Sequence, residues 1–199
     1  YKRQLDELVQ KIDEISEDIE EKKTDAPSRM SIDRVFSLKG FGTIVTGTLI
    51  EGKISVDDEM TIYPSEKKVK VRNLQVHGCD VKTAYAGQRT AINLSNIKVS
   101  EIQRGDVIAQ TGSVEESMMI DVNISLVEHC KKSLKHWDRI RIFHGTKQIL
   151  CRIVPLNEDE IQYGESGYAQ LRLEEKIVAK KGDRFIIRSY SPMDTIGGG

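Results

Sequence analysis

From residue 30 to residue 188 the chain is a succession of short runs rich in β-branched residues, and no helical pattern separates one run from the next. The runs cover 30–38, 43–50, 59–63, 67–76, 88–94 and 106–109, and after a break near 111–114 they resume at 117–126, 139–144, 148–156, 167–173, 177–179 and 184–188. Turns carrying glycine, proline and acidic residues bound the first set at 39–42, 51–58, 64–66 and 77–86. Strands that follow one another without crossover helices pair antiparallel, and a closed barrel or a sandwich then manages their edges. The reset near 111–114 splits them into two units of similar size. The chain reads as all-β: two consecutive antiparallel β-barrels, over 27–112 and 113–199. The last residues, 195–199, are assigned to no strand and break off as a truncated chain would.

Residues 1–26 differ. Leu5, Leu8, Val9, Ile12, Ile15 and Ile19 recur at steps of three and four among charged residues, which predicts one amphipathic α-helix to about residue 23. Pro27 cannot continue it. The apolar stripe needs a surface to pack on, yet no second long helical pattern occurs. A severed piece of a neighbouring domain and a helical hairpin or coiled coil both remain open, with fewer than three heptads for the latter.

Composition excludes more than it proves. Thirty basic and 31 acidic side chains give a net charge of −1, which removes the simple charge argument for nucleic-acid binding. No apolar run reaches the roughly 20 residues that would cross a bilayer, and the opening YKRQLDELVQ is not a signal-peptide pattern. Positive charge is slightly concentrated in the first unit, partly in the run Lys67, Lys68, Lys70 and Arg72, which on alternating strand positions reads as a solvated edge. Cys79, Cys130 and Cys151 form no CxxC pair, and the neighbours His77 and His129 do not complete a clustered ligand set, so no metal site is assigned. Three reduced thiols suit a cytoplasmic location. His136 and His144 read as surface or strand-end histidines. No GxxxxGK[ST], GxGxxG before a helix, HExxH or GxSxG occurs, and Gly40 and Gly42 precede a strand rather than a helix. No catalytic residue is assigned.

The segment SIDRVFSLKGFGTIVTGT at 31–48 resembles the opening of the second domain of translational GTPases such as elongation factor Tu, as do AGQRTAINL at 86–94 and EIQRGDVI at 101–108. Asp33-Arg34, QVHG at 75–78, YAGQR at 85–89 and DTIGGG at 194–199 are similar to one branch, the selenocysteine-specific elongation factors of the SelB type. The resemblance implies that the barrels are domains II and III, which hold an aminoacyl-tRNA, and that residues 1–26 are the last helix of a GTPase domain plus a linker. It implies a part that binds and does not catalyse, with GTP and magnesium belonging to the GTPase domain. Implied partners are selenocysteinyl-tRNA, the ribosome, the protein's own GTPase domain and, through C-terminal domains, a messenger-RNA hairpin. Domains II–III of a general elongation or initiation factor, or a β-barrel interaction module outside translation, are the alternatives.

By the same resemblance Asp33, Arg34 and Arg89 surround the aminoacyl group. A selenol is ionised at neutral pH and a serine hydroxyl is not, so two guanidiniums aimed at the side chain would favour selenocysteine. At about 1.5–3 kcal/mol for each charge-assisted hydrogen bond, two give an affinity ratio of roughly 10² to 10⁴. Asp33 would partner the arginines or the α-amino group. Neighbours on a regular strand point to opposite faces, so Asp33 and Arg34 can share a pocket only across a bend or bulge. Leu38, Gly40, Phe41, Ile44 and Gln75 match positions that enclose the terminal adenosine of the tRNA; Leu38 and Ile44 read equally well as core. No tRNA contact is assigned in the second barrel.

Overall fold

The computed structural model describes residues 2–17, 22 and 24–199. Helix α1 (Lys2–Glu17) carries the expected stripe, but Leu5, Leu8, Val9, Ile12 and Ile15 are each about half exposed, so nothing described packs against it. Ile19 and the expected last turn lie outside the described residues.

The first barrel is built from β1 (Arg29–Leu38), β2 (Gly42–Glu51), β3 (Lys53–Ser55), β4 (Glu59–Tyr63), β5 (Lys67–Val76), β6 (Cys79–Val81), β7 (Thr83–Tyr85), β8 (Arg89–Ser95) and β9 (Val107–Gln110). Its wall runs β4-β9-β1-β2-β8-β5 and closes through β4–β5, all antiparallel, with β6 added to β5 and β3 paired to β7. The second barrel uses β10 (Glu116–Leu126), β11 (Leu134–Lys135), β12 (Arg139–His144), β13 (Lys147–Pro155), β14 (Glu160–Ile161), β15 (Ser166–Val178), β16 (Phe185–Ser189) and β17 (Thr195–Gly198), closing as β10-β15-β13-β12-β16-β17. The all-β expectation of two consecutive barrels agrees with this architecture.

Three readings need correction. The tail at 195–199, assigned to no strand, contains β17, which pairs with both β10 and β16 and closes the wall. Its glycines are there because a side chain on Gly197 would collide with the Ser125 carbonyl. The run at 177–179 is not a separate strand but the end of the long β15. The loops at 51–58 and 77–86 contain the three-residue strands β3, β6 and β7, which are too short to show a period; β3 pairs with β7, and β6 adds to the end of β5.

Alternation explains each core. In β5, Val69, Val71, Leu74 and Val76 are buried while Lys68, Lys70, Arg72 and Gln75 face water. The first core centres on Met30, Ile32, Val45, Leu49, Ile62, Leu74, Ile92 and Ile108, the second on Ile124, Ile142, Cys151, Ile153, Leu171, Ile187 and Ile196. Each such fully buried aliphatic side chain contributes about 1.5–3 kcal/mol relative to exposure.

The barrels are joined by a small apolar patch of Tyr63, Val107, Ala109, Val114 and Val178 and by a buried ionic cluster. Arg29, only 3% exposed, donates through Nη1 and Nη2 to Asp183 at 2.6 and 2.7 Å and through Nε to Glu51 at 2.8 Å. Lys180 Nζ reaches Glu51 at 2.7 Å, and His144, at the end of β12, lies 3.0 Å from Asp183. Burial would raise the Asp183 carboxyl, but the bonds from Arg29 and His144 outweigh it and hold it far below the usual carboxylate range. Thr146 adds a hydroxyl bond to the Ile32 carbonyl at 2.7 Å.

Candidate functional site on the outer wall of the first barrel

Ile32 pairs with Gly47 and Arg34 with Thr46, so Asp33 is an extra residue in β1, a bulge. The bulge exists because Ile32 and Val35 both turn toward the core although three residues apart, one more than a regular strand allows. Gly47 opposite makes room, since a side chain there would strike the Ser31 carbonyl oxygen. The consequence is that Asp33 and Arg34 both stand outside the barrel wall.

Asp33 accepts three hydrogen bonds: from Thr46 Oγ1 at 2.6 Å, from Arg89 Nη1 at 2.5 Å and from Arg89 Nη2 at 3.2 Å. Partial burial pushes its carboxyl up, but the bonds from Arg89 and Thr46 prevail, with the nearby Arg34 charge adding to them, and the pKa is lowered. Arg34 is exposed and makes no side-chain hydrogen bond among the described residues. Asp33, Arg34 and Arg89 thus come together, with one guanidinium already occupied by the carboxylate and one free.

Beside this cluster, Leu38, Phe41, Ile44 and Gln75 line a slot of about 90 Å³ together with Asn73, Ala91 and Asn93. An adjoining hollow of about 220 Å³ is walled by Thr46, Gln75, His77, Gly78, Arg89, Thr90 and Ala91. Gln75 and Ala91 belong to both, so the trough runs from the apolar slot to Arg89. Ile44 is 9% exposed and Phe41 58%, so the floor is covered and the rim is open. Gly40 does not line the slot: it sits in the β1–β2 turn at φ +86°, a conformation glycine adopts without strain, and the space where a side chain would stand is open to 4 Å. Asn73 and Gln75 donate to Asp80 at 2.8 and 2.9 Å, and these bonds, Gln75 first, lower the Asp80 pKa. The sequence pattern did not single out Thr46, Asn73, Ala91 or Asn93. All four sit two or four residues from a residue it did, on the same face of the same strand.

A second surface is equally hidden in the sequence. Arg139 faces Arg152, Arg152 faces Arg172, and Arg141 faces Arg188 across four neighbouring strands of the second barrel, all on its outer side. Tyr190 lies under Arg139 and Arg141 at 4.8 and 5.3 Å, Trp137 under Arg172 at 5.2 Å, and Phe143 under Arg188 at 5.7 Å. Glu174 binds Arg139 through both oxygens, whereas Arg141, Arg172 and Arg188 form no salt bridge among the described residues. The Nε atoms of Arg141 and Arg188 are buried without a partner. A charge balance of zero over 113–199 conceals this segregated face.

Two closed antiparallel barrels follow one another, the first with a charged cluster and an apolar slot on its wall, and the comparisons with known proteins place this arrangement among the translation-factor barrel modules. Residues 42–109 match the family described as elongation factor Tu domain 2, and residues 121–199 match the selenocysteine-specific elongation factor β-barrel domain. The chain is 38% identical over 195 residues to the selenocysteine-specific elongation factor of Desulfomicrobium baculatum, covering 98% of this chain and 31% of that protein. It is 30% identical over 201 residues to that of Methanocaldococcus jannaschii, covering 94% and 41%. A crystal structure of bacterial selenocysteine-specific elongation factor EF-Sec superposes with a TM-score of 0.83 at 26% identity, over 97% of this chain and 31% of that one. The chain belongs to the selenocysteine-specific elongation factors and corresponds to their two consecutive β-barrels. It spans about a third of the length of the curated relatives it matches, between 26% and 41% for those of the same description.

Proposed function

We propose that this chain is the part of a selenocysteine-specific elongation factor that grips selenocysteinyl-tRNA for delivery to the ribosome, and that it binds without making or breaking a bond. GTP and magnesium belong, on this reading, to a GTPase domain of the whole protein, and the messenger-RNA hairpin to its C-terminal domains. The observation that carries the reading is the Arg34–Asp33–Arg89 cluster beside an apolar slot. Asp33 occupies the fork of Arg89 as a ligand anion would. The α-ammonium group of an aminoacyl ester competes for that carboxylate, and the released Arg89 turns to the selenolate, with Arg34 adding its uncompensated charge. With serine bound, the same exchange leaves Arg89 without an anion.

Because Asp33 already satisfies one guanidinium, only about one charge-assisted bond is gained net. At about 1.5–3 kcal/mol that corresponds to a preference of roughly ten- to a hundredfold over serine, smaller than two free arginines would give. The slot of Leu38, Phe41 and Ile44 takes the terminal adenosine. The arginine face of the second barrel takes RNA phosphates, with its aromatic side chains holding the guanidiniums in place. Filter binding of the whole protein with selenocysteinyl-, cysteinyl- and seryl-tRNA at one salt concentration tests this: the affinities fall in that order, the order in which the side chain loses its negative charge. Equal affinities exclude the reading.

A further inference from the structure

Asn93 stands out among the residues of the slot. Its Oδ1 is buried without a hydrogen-bond partner, and its side-chain amide makes no bond at all among the described residues. Native proteins leave few buried polar atoms in that state, and those they leave call for an explanation. The other two amides lining the slot are committed: Asn73 and Gln75 both donate to Asp80. Asn93 is flanked across the sheet by Ile44 on β2 and Asn73 on β5, so its backbone is fixed by ladders on both sides. The result is an unpartnered amide on a fixed stretch of backbone, in a recess shared with Leu38, Phe41, Ile44 and Ala91 and with two amides already committed to Asp80.

We propose that Asn93 reads the terminal base of the bound RNA, pairing its amide with the amino edge of adenine. This rests on the placement of the terminal adenosine in the slot proposed above. An apolar recess accepts any flat ring through stacking and dispersion and cannot tell one purine from another. An asparagine amide can, because it offers one acceptor and one donor side by side, matching the exocyclic amino group and an adjacent ring nitrogen of adenine. Guanine and hypoxanthine present a carbonyl where adenine has the amino group, and unsubstituted purine presents only a C–H. The unbonded amide then supplies the protein's half of a base contact.

The test uses selenocysteinyl-tRNA ending in adenosine and the same tRNA ending in purine riboside, which keeps the ring and loses the amino group. Wild-type protein binds the purine-ended tRNA about tenfold more weakly. Asn93→Leu weakens binding of the adenosine-ended tRNA and brings the two tRNAs to within about twofold of each other, and Asn93→Ala does the same. Thermal melts of both variants check that the barrel is intact. The inference is overturned if wild type binds the two tRNAs equally, or if the variants keep the wild-type difference. In either case an unchanged preference for selenocysteinyl- over seryl-tRNA leaves the proposed function standing, whereas loss of that preference in the wild type removes both.

Discussion

Arg89 on β8 clasps Asp33 at the bulge of β1 through both terminal nitrogens, across 56 residues of sequence. On the function proposed above, the pair serves as a preformed anion site that holds its own anion. A carboxylate in the fork of a guanidinium keeps the arginine extended and oriented, so a ligand meets a positioned group and orders no flexible side chain on arrival. On the same proposal, occupancy by Asp33 would set a threshold, because a neutral ligand side chain gives nothing in exchange for the displaced carboxylate.

The Asp33 carboxyl is held below its ordinary value by the bonds from Arg89 and Thr46, so it stays ionised to lower pH than an exposed aspartate. A depressed carboxylate contributes stability above the pKa of the unfolded chain and loses it as pH falls through the folded value. Carbon-detected NMR titration of Asp33 is expected to give a midpoint below that of an exposed aspartate, and Arg89→Ala is expected to move the midpoint upward. A midpoint unaffected by the substitution would show that the pair is not formed in solution.

Asp183 anchors the joint between the barrels. Asp183→Asn leaves the buried Arg29 with Glu51 as its remaining carboxylate partner, and breaking a buried pair on one side costs about 3–5 kcal/mol, toward the lower end here because Glu51 remains. Denaturant melts at neutral pH check the loss. The sign in acid is fixed by the depressed Asp183 pKa: its stabilisation is complete above the unfolded aspartate value and fades only as pH falls toward the folded one. The variant is therefore expected to lose part of the wild-type acid dependence as well as stability.

On the second barrel, Arg141→Ser and Arg188→Ser remove charges whose Nε atoms have no partner, so melting temperature should change little. Binding of every aminoacyl-tRNA should weaken to a similar extent, and the slope of log affinity against log salt should shrink by about one for each phosphate that is no longer neutralised. Unequal effects on selenocysteinyl- and seryl-tRNA would contradict a backbone role for this face.

The thiols differ in the same physical terms. Burial pushes the Cys151 thiol up to about 12, whereas Cys79 is exposed. Alkylation of the native protein followed by mass spectrometry should label Cys79 readily and leave Cys151 untouched until the barrel unfolds.

Much of this architecture is written in local pattern. The long strands β1, β2, β5 and β8 alternate clearly because one side of each faces a core. Even the bulge has a trace, since Ile32 and Val35 lie three apart where a regular strand would place inward residues two apart, and Val71 and Leu74 mark a second irregularity in β5. Other features leave no local trace. Half of strand β17 is glycine, which allows close backbone approach but leaves no hydropathy to alternate, and Ile196 alone points to the core. Arg29 and Asp183 are 154 residues apart, and neither differs in sequence from a surface charge. The arginine face is assembled from alternate positions on four strands, so no window of sequence contains it. Arg89 and Gln75 are reached through resemblance to a family, while Asn93 and Thr46 need the register of the sheet.

Competition between selenocysteinyl- and seryl-tRNA for the whole protein, wild type against Arg89→Ala and Arg34→Ala, addresses the anion site most directly. The wild type should prefer selenocysteinyl-tRNA by roughly ten- to a hundredfold, and each variant should bring that ratio toward one while seryl-tRNA affinity changes little. A ratio that stays at the wild-type value in both variants would contradict recognition of the charged selenium by these arginines.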